Sequence, residues 1–399
     1  MKILQLANKL PYPAKDGGSI ATLSMARTFA ALGHEATVMA MNTSKHFFPL
    51  EDLPGELTSR INFHAVDIDT TIIPAKALRN FLFSDQPYNA TRFFTEEFER
   101  KLAGLLQDDV YDVIQLEGLY LAPYVPVIRA NSRALVSMRA HNVEHEIWQR
   151  TARQCRGIKK YYIRNLARRI KRMEVSYLNA YDVLVPITPR DAKIFSQLGC
   201  KIPVHVTPTG ISSDMLVADR SRIEFPSLFH IGALDWTPNQ EGLSWFLDKV
   251  WPGLHKNNPG LKFYIAGRNA PEKFRMINKE NVVFLGEVDD AYEFMNSKAI
   301  MVVPLLSGSG MRIKIIEGMA LGKTIVSTTL GAEGIQCEHG KNIVIADTPE
   351  NIGEEIQSLL NNFDKFDSIG KQAMEFVSQT FDNKNITADL LAFYKKHLT

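Results

Sequence analysis

The sequence predicts an α/β protein with two parallel sheets, each covered by helices on both faces. The first observation is length, because 399 residues are too many for one core and fit two domains of about 200 residues. The second is that short apolar segments, which predict buried strands, alternate with amphipathic segments of helical period. The third is that the alternation occurs in two series, separated by Val206–Asp214, which contains proline and glycine.

The first series begins with a strand at Ile3–Ala7, a loop with prolines and glycines, and a helix at Ile20–Leu32. Gly17 and Gly18 in this loop are predicted to let a phosphate or an acceptor approach the backbone, and Ser19 is predicted to cap the helix. Further strands are predicted at Ala36–Met41, Asn62–Val66, Val113–Leu116, Ala134–Met138 and Val183–Ile187, and further helices at Thr95–Leu106 and Gly157–Asn179.

The second series predicts strands at Leu228–Ile231, Lys262–Ala266, Val282–Leu285, Ala299–Leu305, Thr324–Ser327 and Asn342–Ile345. Its helices are predicted at Asn239–Trp251, Asp290–Met295, Met311–Leu321 and Pro349–Asn361. Two such Rossmann-like halves, joined once through the linker Val206–Asp214, would face each other across a cleft. Ligands bind outside the carboxyl ends of the strands in sheets of this kind, so the cleft is the predicted binding region.

Composition limits the class of protein. Hydrophobic residues make up 45% of the chain and charged residues 23%, as in ordinary globular proteins. The net charge of +2 gives no general attraction for nucleic acid. The three cysteines lie far apart in the sequence, so neither a disulfide framework nor a zinc site is predicted. No segment resembles a signal peptide or a membrane span, which predicts a cytoplasmic location.

The most informative segment is Ser307–Gly322, with the sequence SGSGMRIKIIEGMALG. A glycine-rich turn that leads into a helix offers free backbone N–H groups and the positive end of the helix dipole, which suits a phosphate. Arg312 and Lys314 add two cations, and Glu317 can accept hydrogen bonds from sugar hydroxyls. The alternative is that Glu317 pairs with a basic residue one turn away and that the cations face solvent. Cations in a first turn oppose the dipole, however, and this conflict favours a bound anion.

A second group of polar residues follows the predicted strand Ala134–Met138. It consists of Arg139, His141, Asn142 and Glu144, at the end of the strand where parallel sheets bind ligands. The alternative is that these side chains are structural residues of a strand end.

The window Arg150–Arg172 contains ten cations and no acid, and it is interpreted as one basic helix. A solvated face is the ordinary interpretation of such a helix. Docking on anionic lipid is the second interpretation. RNA binding is the third, but no recognised nucleic-acid motif accompanies the window. We therefore predict no nucleic-acid partner and allow for peripheral contact with an anionic membrane.

Five stretches together resemble a retaining glycosyltransferase of the GT-B fold, most like the large family four. They are AKDGGS, RAHNVE, FHIGALDWTPNQEG, FYIAGRNAP and SGSGMRIKIIEGMALGKTIVSTTLGAEGI. The last is the most specific, because strand, glycine loop, basic residues and acid-bearing helix come in the order of the family. The resemblance implies an acceptor-binding domain over residues 1–207, a nucleotide-sugar-binding domain over residues 208–380, and a C-terminal helix over residues 381–399 that packs back on the first domain.

The sequence departs from the family pattern in its acidic pair. The family usually has two glutamates with seven residues between them, of which the first contacts the donor sugar and the second the ribose. Glu317 matches the second, but Ser309 stands at the first. The identity of the donor sugar is therefore left open.

The second departure concerns the cations of the pyrophosphate site. The family often has an arginine after the glycine that matches Gly232 and a lysine a few residues later. In this chain Ala233 follows Gly232, and Asn239 and Gln240 occupy the region of the lysine. Arg312 and Lys314 are the obvious residues to supply the missing charge.

The resemblance implies that His141 lies near the reacting sugar and is catalytic together with Arg312 and Lys314. The residues implied to bind substrates are Gly17, Gly18, Arg139, Asn142, Glu144, Gly232, Arg268, Ser309, Gly310, Met311 and Glu317.

The implied activity is retaining transfer of a sugar from a UDP- or GDP-linked donor to a glycan or lipid-linked acceptor, with no metal and no separate cofactor. The implied setting is cell-envelope or exopolysaccharide synthesis, in the cytoplasm or at the inner face of the membrane. A sugar-nucleotide epimerase of the same fold and a non-catalytic scaffold are the alternatives. A nicotinamide oxidoreductase is disfavoured because the GxGxxG spacing is absent.

Overall fold

The computed structural model describes residues 1–211, 216–308 and 310–398. The chain forms two compact units, one of Met1–Gly210 with Asn383–Thr399 and the other of Ile211–Asp382. The sequence placed the boundary between residues 207 and 208 and the return to the first domain at residue 381. Part of the predicted linker, residues 212–214, lies outside the described residues, as does residue 399.

Each unit contains a parallel sheet. The strands are β1 (Lys2–Ala7), β2 (Glu35–Thr43), β3 (Ile61–Ile68), β4 (Val113–Glu117), β5 (Leu135–Ala140), β6 (Val183–Pro186), β7 (Glu224–Ile231), β8 (Lys262–Ala266), β9 (Val282–Gly286), β10 (Lys298–Val303), β11 (Thr324–Ser327) and β12 (Val344–Ile345). Within the described residues the first sheet has the order β3-β2-β1-β4-β5-β6 and the second the order β12-β11-β10-β7-β8-β9. All strand pairs of both sheets are parallel. The predicted α/β class with two parallel sheets is confirmed.

Helices connect the strands and cover the sheets. They are α1 (Gly17–Ala31), α2 (Gly55–Thr58), α3 (Pro74–Phe83), α4 (Tyr88–Thr91), α5 (Glu96–Asp108), α6 (Val125–Asn131), α7 (Glu144–Gln154), α8 (Gly157–Tyr177), α9 (Pro189–Gln197), α10 (Thr237–Lys249), α11 (Trp251–Asn257), α12 (Glu272–Arg275), α13 (Ala291–Asn296), α14 (Ile313–Ala320), α15 (Pro349–Asn361), α16 (Phe363–Thr380) and α17 (Asn383–His397). None of those in the described part of the chain combines the length and the apolar composition that a bilayer crossing requires.

The apolar core of the first unit lies on both faces of its sheet. Along β1, Leu4 and Leu6 belong to the cluster on one face and Ile3 and Ala7 to the cluster on the other, as the alternation of a strand requires. The terminal helix α17 contributes Tyr394 to the second of these clusters. Its hydroxyl donates to Gln115 Oε1 at 2.6 Å, so a buried polar contact as well as apolar packing holds α17 on the sheet.

The interpretation of Arg150–Arg172 as one basic helix is wrong. The window falls on two helices, because α7 ends at Gln154 and α8 begins at Gly157. Cys155 and Arg156 between them are extended, with ψ of 154° and 162°, and Gly157 has a φ of +58°. Extended residues and a left-handed glycine break the helical hydrogen-bond ladder at this point.

Candidate functional site

The phosphate site that the sequence predicts lies in the second unit, where β7 and β10 end and α14 begins. Gly308 and Gly310 both have positive φ, of +112° and +83°, a conformation that favours glycine. Ser309 lies outside the described residues. Among the residues that are described, no side chain caps the N-terminus of α14, so its first backbone N–H groups are available to an anion.

Arg312 occupies the N-cap position of α14 rather than its first turn, with φ −91° and ψ 91°. Its guanidinium carbon lies 4.9 Å from the centre of the Trp236 ring, and Nη1 donates to Gly310 O at 2.6 Å. A Cβ at Gly308 would lie 2.8 Å from Arg312 Nη2. The glycine loop therefore accommodates the arginine, and the indole ring fixes its plane.

Lys314 extends from α14 to the end of β7. Its Nζ donates to Ile231 O at 3.2 Å and to Asn239 Oδ1 at 3.1 Å. Burial, and next the charge of Arg312, lower the pKa of the Lys314 ammonium to about 7. An anion beside Nζ would reverse this effect, because it stabilises the charged form of the lysine.

Gly232 follows β7 and leaves space for this ammonium. A Cβ at Gly232 would lie 2.9 Å from Asn239 Nδ2 and 3.0 Å from Lys314 Nζ. Asn239 also donates from Nδ2 to Ala233 O at 2.8 Å, which holds the turn after the strand. The ammonium of Lys314 thus lies beside Asn239, which occupies the region where the family pattern has a lysine.

Glu317 lies one turn into α14 and has a tyrosine as its partner. Tyr292 of α13 donates from its hydroxyl to Glu317 Oε1 at 2.9 Å. Burial raises the pKa of Glu317, and the hydrogen bond from Tyr292 acts in the opposite direction. In the described part of the chain the second oxygen, Oε2, has no hydrogen-bond partner, and it can accept from a ligand hydroxyl.

Two further residues predicted to bind substrate, Met311 and Arg268, also lie in this unit. Met311 packs against the apolar cluster formed by β10, β11 and α14. Arg268 follows β8, and its backbone carbonyl accepts from Leu234 N at 2.9 Å.

In the first unit, a buried carboxylate that the sequence analysis did not single out organises the group after β5. Glu117 ends β4 with its side chain 2% exposed. Its Oε2 lies 2.6 Å from His141 Nε2 and accepts from Arg139 Nη1 at 3.4 Å. Its Oε1 accepts from Gln5 at 2.8 Å and from Gln115 at 2.5 Å. Burial by itself would raise the pKa of Glu117, but Arg139 and His141 outweigh it and hold the pKa at about 2.

The two basic partners of Glu117 differ in what they can offer a ligand. Arg139 is 1% exposed in its side chain, and its Nη1 also donates to Ala21 O at 3.2 Å. His141 keeps 16% of its side chain exposed. Since Glu117 binds Nε2, a neutral His141 ring is held with its proton on Nε2 and with Nδ1 as an acceptor. Arg139 is therefore a positioning residue, while His141 can touch a ligand.

Glu144 begins α7 beside a second carboxylate. Its backbone N–H donates to Glu174 Oε1 at 2.9 Å, and Tyr120 donates from its hydroxyl to Glu144 Oε2 at 3.3 Å. Burial, and next the charge of Glu174, raise the pKa of Glu144 to about 7. His145 Nδ1 contacts the other oxygen of Glu174. Asn142 lies partly exposed between His141 and this helix.

Gly17 and Gly18 are the first two residues of α1, but the cap of this helix is not the predicted one. Asp16, which is extended at φ −140° and ψ 162°, accepts from Ser19 N at 3.1 Å. The prediction that Ser19 caps α1 is wrong, because Ser19 already lies in the first turn. Lys9 Nζ lies 2.6 Å from both oxygens of Asp16 and balances its charge.

Metal ligands were not predicted from the sequence. Across residues 1–211, 216–308 and 310–398, no three or more His, Cys, Asp or Glu side chains are grouped so that they could hold a metal ion.

Known proteins share sequence with this chain. A family model described as Glycosyl transferases group 1 matches residues 225–362. A 44.6 kDa protein in the cps region of Klebsiella pneumoniae is 21% identical, over 98% of this chain and 98% of its own length. A phosphatidyl-myo-inositol mannosyltransferase of Mycobacterium leprae is 31% identical over 33% of this chain and 36% of its own length. The family match includes Gly232, Lys314 and Glu317, so it contains the predicted phosphate site of the second unit.

Solved structures share the fold over nearly the whole chain. HepE of Anabaena, in complex with UDP and glucose, has a TM-score of 0.69 at 15% identity, over 99% of each chain. Sucrose-phosphate synthase of Thermosynechococcus elongatus has a TM-score of 0.72 at 14% identity, over 99% of each chain. At these identities the likeness concerns the architecture of both sheets and not the choice of substrate.

Proposed function

The chain belongs to the group 1 glycosyltransferases and has their GT-B fold, and on this premise we propose that it transfers a sugar from a nucleoside diphosphate to a glycan or lipid-linked acceptor, with retention of configuration. The observation that carries the proposal is the place of Lys314. Its ammonium lies 3.1 Å from Asn239 Oδ1, in the region where the family pattern has a diphosphate-binding lysine.

The donor binds at the second unit in this proposal. The diphosphate lies at the N-terminus of α14, where backbone N–H groups, Arg312 and Lys314 supply positive charge. The ribose hydroxyls donate to Glu317, whose Oε1 already accepts from Tyr292. HepE was solved with UDP and with UDP-glucose, which supports UDP-glucose as the first donor to test and GDP-linked sugars as the second.

The chemical step separates charge, and the proposed residues stabilise it. As the bond between the anomeric carbon and the β-phosphate oxygen breaks, negative charge grows on that oxygen and positive charge on the sugar ring. Arg312 and Lys314 stabilise the oxygen through preorganised electrostatics. The acceptor hydroxyl attacks from the face that the phosphate leaves, and the departing oxygen takes its proton. His141, oriented by Glu117, positions the reacting sugar.

The biological setting that we propose is polysaccharide synthesis. The relative from Klebsiella pneumoniae that spans the full length lies in the capsule (cps) region, and the mannosyltransferase of Mycobacterium leprae acts on a lipid-linked substrate by its name. Both support an acceptor of the cell envelope.

Such an acceptor would bring the first unit to an anionic membrane, and two features support this contact. A groove of about 490 Å³ between α7 and α8 is lined by basic side chains, namely Arg153, Lys160, Arg164, Arg168 and Lys171. In addition, none of the residues of α3 is buried. Its side chains Leu78 and Leu82 are each 59% exposed and Phe83 is 82% exposed. Apolar side chains beside cations are typical of interfacial helices.

Helices α3 and α8 are in contact. Arg169 of α8 donates to the carbonyls of Asn80 at 3.1 Å and Phe81 at 2.8 Å, and the rings of Phe81 and Tyr162 lie 5.5 Å apart. Arg169 is itself buried. It therefore serves to hold α3, and the remaining cations of α8 are the ones available to lipid.

Liposome flotation tests the membrane contact. We expect binding to vesicles with anionic lipid, release at high salt, and loss when Arg164, Arg168 and Lys171 are replaced by Gln. The matched control removes the same number of charges at exposed sites elsewhere in the unit, through Lys201→Gln, Lys395→Gln and Lys396→Gln. Equal loss in both variants would mean that net charge, and not this surface, governs binding. If the wild-type chain ignores anionic vesicles at low salt, a soluble acceptor is the correct alternative.

The function itself is tested by release of nucleoside diphosphate. With UDP- or GDP-sugars, we expect release that depends on an added acceptor. Conversion of the donor without any acceptor would identify an epimerase instead, and binding without turnover would identify a scaffold.

The donor site is tested by Glu317→Ala, which should weaken UDP or GDP binding by roughly 1.5–3 kcal/mol, measured by calorimetry. Glu354→Ala, which removes an exposed acid of the same unit, serves as the control, with little change in affinity. Unchanged affinity of Glu317→Ala for both nucleotides would contradict the assignment.

A further inference from the structure

A cavity of the first unit has no role in the donor site described above. It has a volume of about 740 Å³ and opens where β1, β2 and β3 end. This volume is in the range of sites for small ligands. The carboxyl ends of parallel strands are also where such sheets bind ligands. We refer to this cavity as the β1–β3 pocket.

The lining of the β1–β3 pocket is basic. It includes Lys9, Lys45, His46 and Arg92, and among the described residues that line it there is no carboxylate. Lys9 is balanced by Asp16, 2.6 Å away. Lys45 lies exposed on the turn that follows β2. In the described part of the chain, no carboxylate forms an ion pair with Lys45.

Arg92 is held in place by contacts that, within the described residues, include no carboxylate. Its guanidinium carbon lies 5.7 Å from the ring centres of Tyr88 and Phe93, and its Nη1 donates to Thr70 O. An aromatic face and a carbonyl orient the group without neutralising it. Asp69, whose carboxylate accepts from Ser44 and Thr71, does not line the pocket.

The pocket also contains a hydroxyl that lacks a partner. Thr43 ends β2 and is 3% exposed, and its Oγ1 has no hydrogen-bond partner among the described residues. A buried polar atom without a partner is uncommon and calls for a ligand or a water. Ile72 and Phe93 add apolar surface to the same lining. Basic, hydroxyl and apolar groups together match a sugar ring that carries an anionic substituent.

We propose that the β1–β3 pocket binds an acidic sugar unit of the acceptor, one that carries a carboxylate or a phosphate. This inference rests on the proposed function, since only a transferase needs an acceptor. Lys45 and Arg92 bind the anion, Thr43 bonds a sugar hydroxyl, and the apolar groups pack against the ring. A uronic acid of a polysaccharide and a sugar phosphate of a lipid-linked intermediate share this chemistry.

Calorimetry on the full chain tests the inference with glucuronic acid, glucose 6-phosphate and neutral glucose at constant ionic strength. Each titration is repeated with saturating UDP, because a sugar phosphate also suits the site at Lys314. With UDP present, we expect at least one acidic sugar to bind about tenfold or more tightly than glucose, as one charged contact implies. Binding of glucuronic acid alone indicates a uronic acid acceptor, and binding of glucose 6-phosphate alone a phosphorylated one.

Two variants test whether the acidic sugar binds in the β1–β3 pocket. Lys45→Gln should weaken it by about fivefold or more, and Thr43→Val, which keeps the shape of the side chain, by a few-fold. Lys201→Gln, an exposed lysine elsewhere in the unit, should leave it unchanged. If UDP binds but neither acidic sugar exceeds glucose, or if Lys45→Gln has no effect, the pocket inference is wrong and the proposed function stands. If neither UDP nor GDP binds, the proposed function fails, and the pocket loses its role as an acceptor site.

Discussion

The two units differ in the partners of their buried charged side chains. In the first, Glu117 lies between Arg139 and His141, so the guanidinium of Arg139 meets a carboxylate of the protein itself. In the second, Lys314 is bound by a carbonyl and an amide oxygen while Arg312 disfavours its charge. In the first cluster the charge of Arg139 is paired without a ligand, and Glu117 holds His141 in one orientation. In the second cluster a bound anion would stabilise the charged form of Lys314, as expected of a diphosphate site.

The largest effect is expected from Glu117→Gln, which tests the charge pairing of the first cluster. This substitution leaves Arg139 buried without its counter-charge. Breaking a buried ion pair costs about 3–5 kcal/mol, and we expect a loss of unfolding free energy in this range. Denaturant-dependent hydrogen exchange of peptides from β4 and β5 measures it, because this readout reports the first unit alone. Asp108→Asn, at an exposed position of the same unit, should change stability by less than about 0.5 kcal/mol.

The same pair predicts how acid affects the wild-type chain. The pKa of Glu117 lies at about 2, below the ordinary value of 4.5, so its contribution to stability is complete above the ordinary value. It should be lost as pH falls through the native pKa. A loss of less than about 1 kcal/mol in Glu117→Gln would show that the cluster is not held by this carboxylate.

The next largest effect concerns the cations of the second unit. Lys314→Gln removes a charged contact to the diphosphate, so UDP or GDP affinity should fall by roughly 1.5–3 kcal/mol, while stability changes little or increases. Calorimetry measures the affinity, and Lys256→Gln, an exposed lysine of the same unit, is the matched control. An affinity that survives Lys314→Gln would place the diphosphate elsewhere.

The fold was largely predictable from the sequence because most of its elements have local sequence signals. Periodicity and glycine positions predicted Lys262–Ala266, Thr324–Ser327 and Pro349–Asn361 with the bounds that the structure has. The signals were local, because each strand is a short apolar run between turn residues. The predicted family and glycosyltransferase class are confirmed. The predicted start of a helix at Gly157 agrees with α8. The interpretation of Arg150–Arg172 as one basic helix was nevertheless wrong, because it followed charge composition and not backbone conformation.

The site of the second unit was predictable because its residues are neighbours in one segment. Arg312, Lys314 and Glu317 lie within six residues of sequence and reach one end of one sheet. The cluster of the first unit depends on register instead, since Glu117 of β4 pairs with Arg139 of β5. A single sequence does not reveal which strands are adjacent. The available signal was an acid directly after a predicted strand, followed by Gly118.

A smaller effect is expected from pH. Lys314 has a pKa of about 7, depressed by burial and by Arg312, and a bound diphosphate should raise it. Below this value the ammonium is charged in both free and bound protein, so affinity for UDP should be constant with respect to this group. Above it only the bound form keeps the proton, and affinity should fall by up to about tenfold per pH unit.

Calorimetry in buffers of different ionisation enthalpy detects the accompanying proton uptake. Lys314→Arg keeps its charge at all these pH values and should remove the dependence. His230 is the titratable neighbour to consider, but burial, and next Lys314, hold its pKa well below the ordinary value. It therefore stays neutral in this range. A flat profile in the wild-type chain would mean that the ammonium is already fully charged before the nucleotide binds.

The smallest effect is expected from chelation of metals. If Arg312 and Lys314 supply the charge that the leaving diphosphate requires, transfer should continue in EDTA at nearly the untreated rate. The comparison of the units predicts this outcome, because the second cluster carries positive charge that its own contacts do not balance at Lys314. Release of nucleoside diphosphate, measured with EDTA and then with added magnesium or manganese, decides the matter. Activity that EDTA abolishes and either ion restores would show that the two side chains do not carry the charge of the leaving group by themselves.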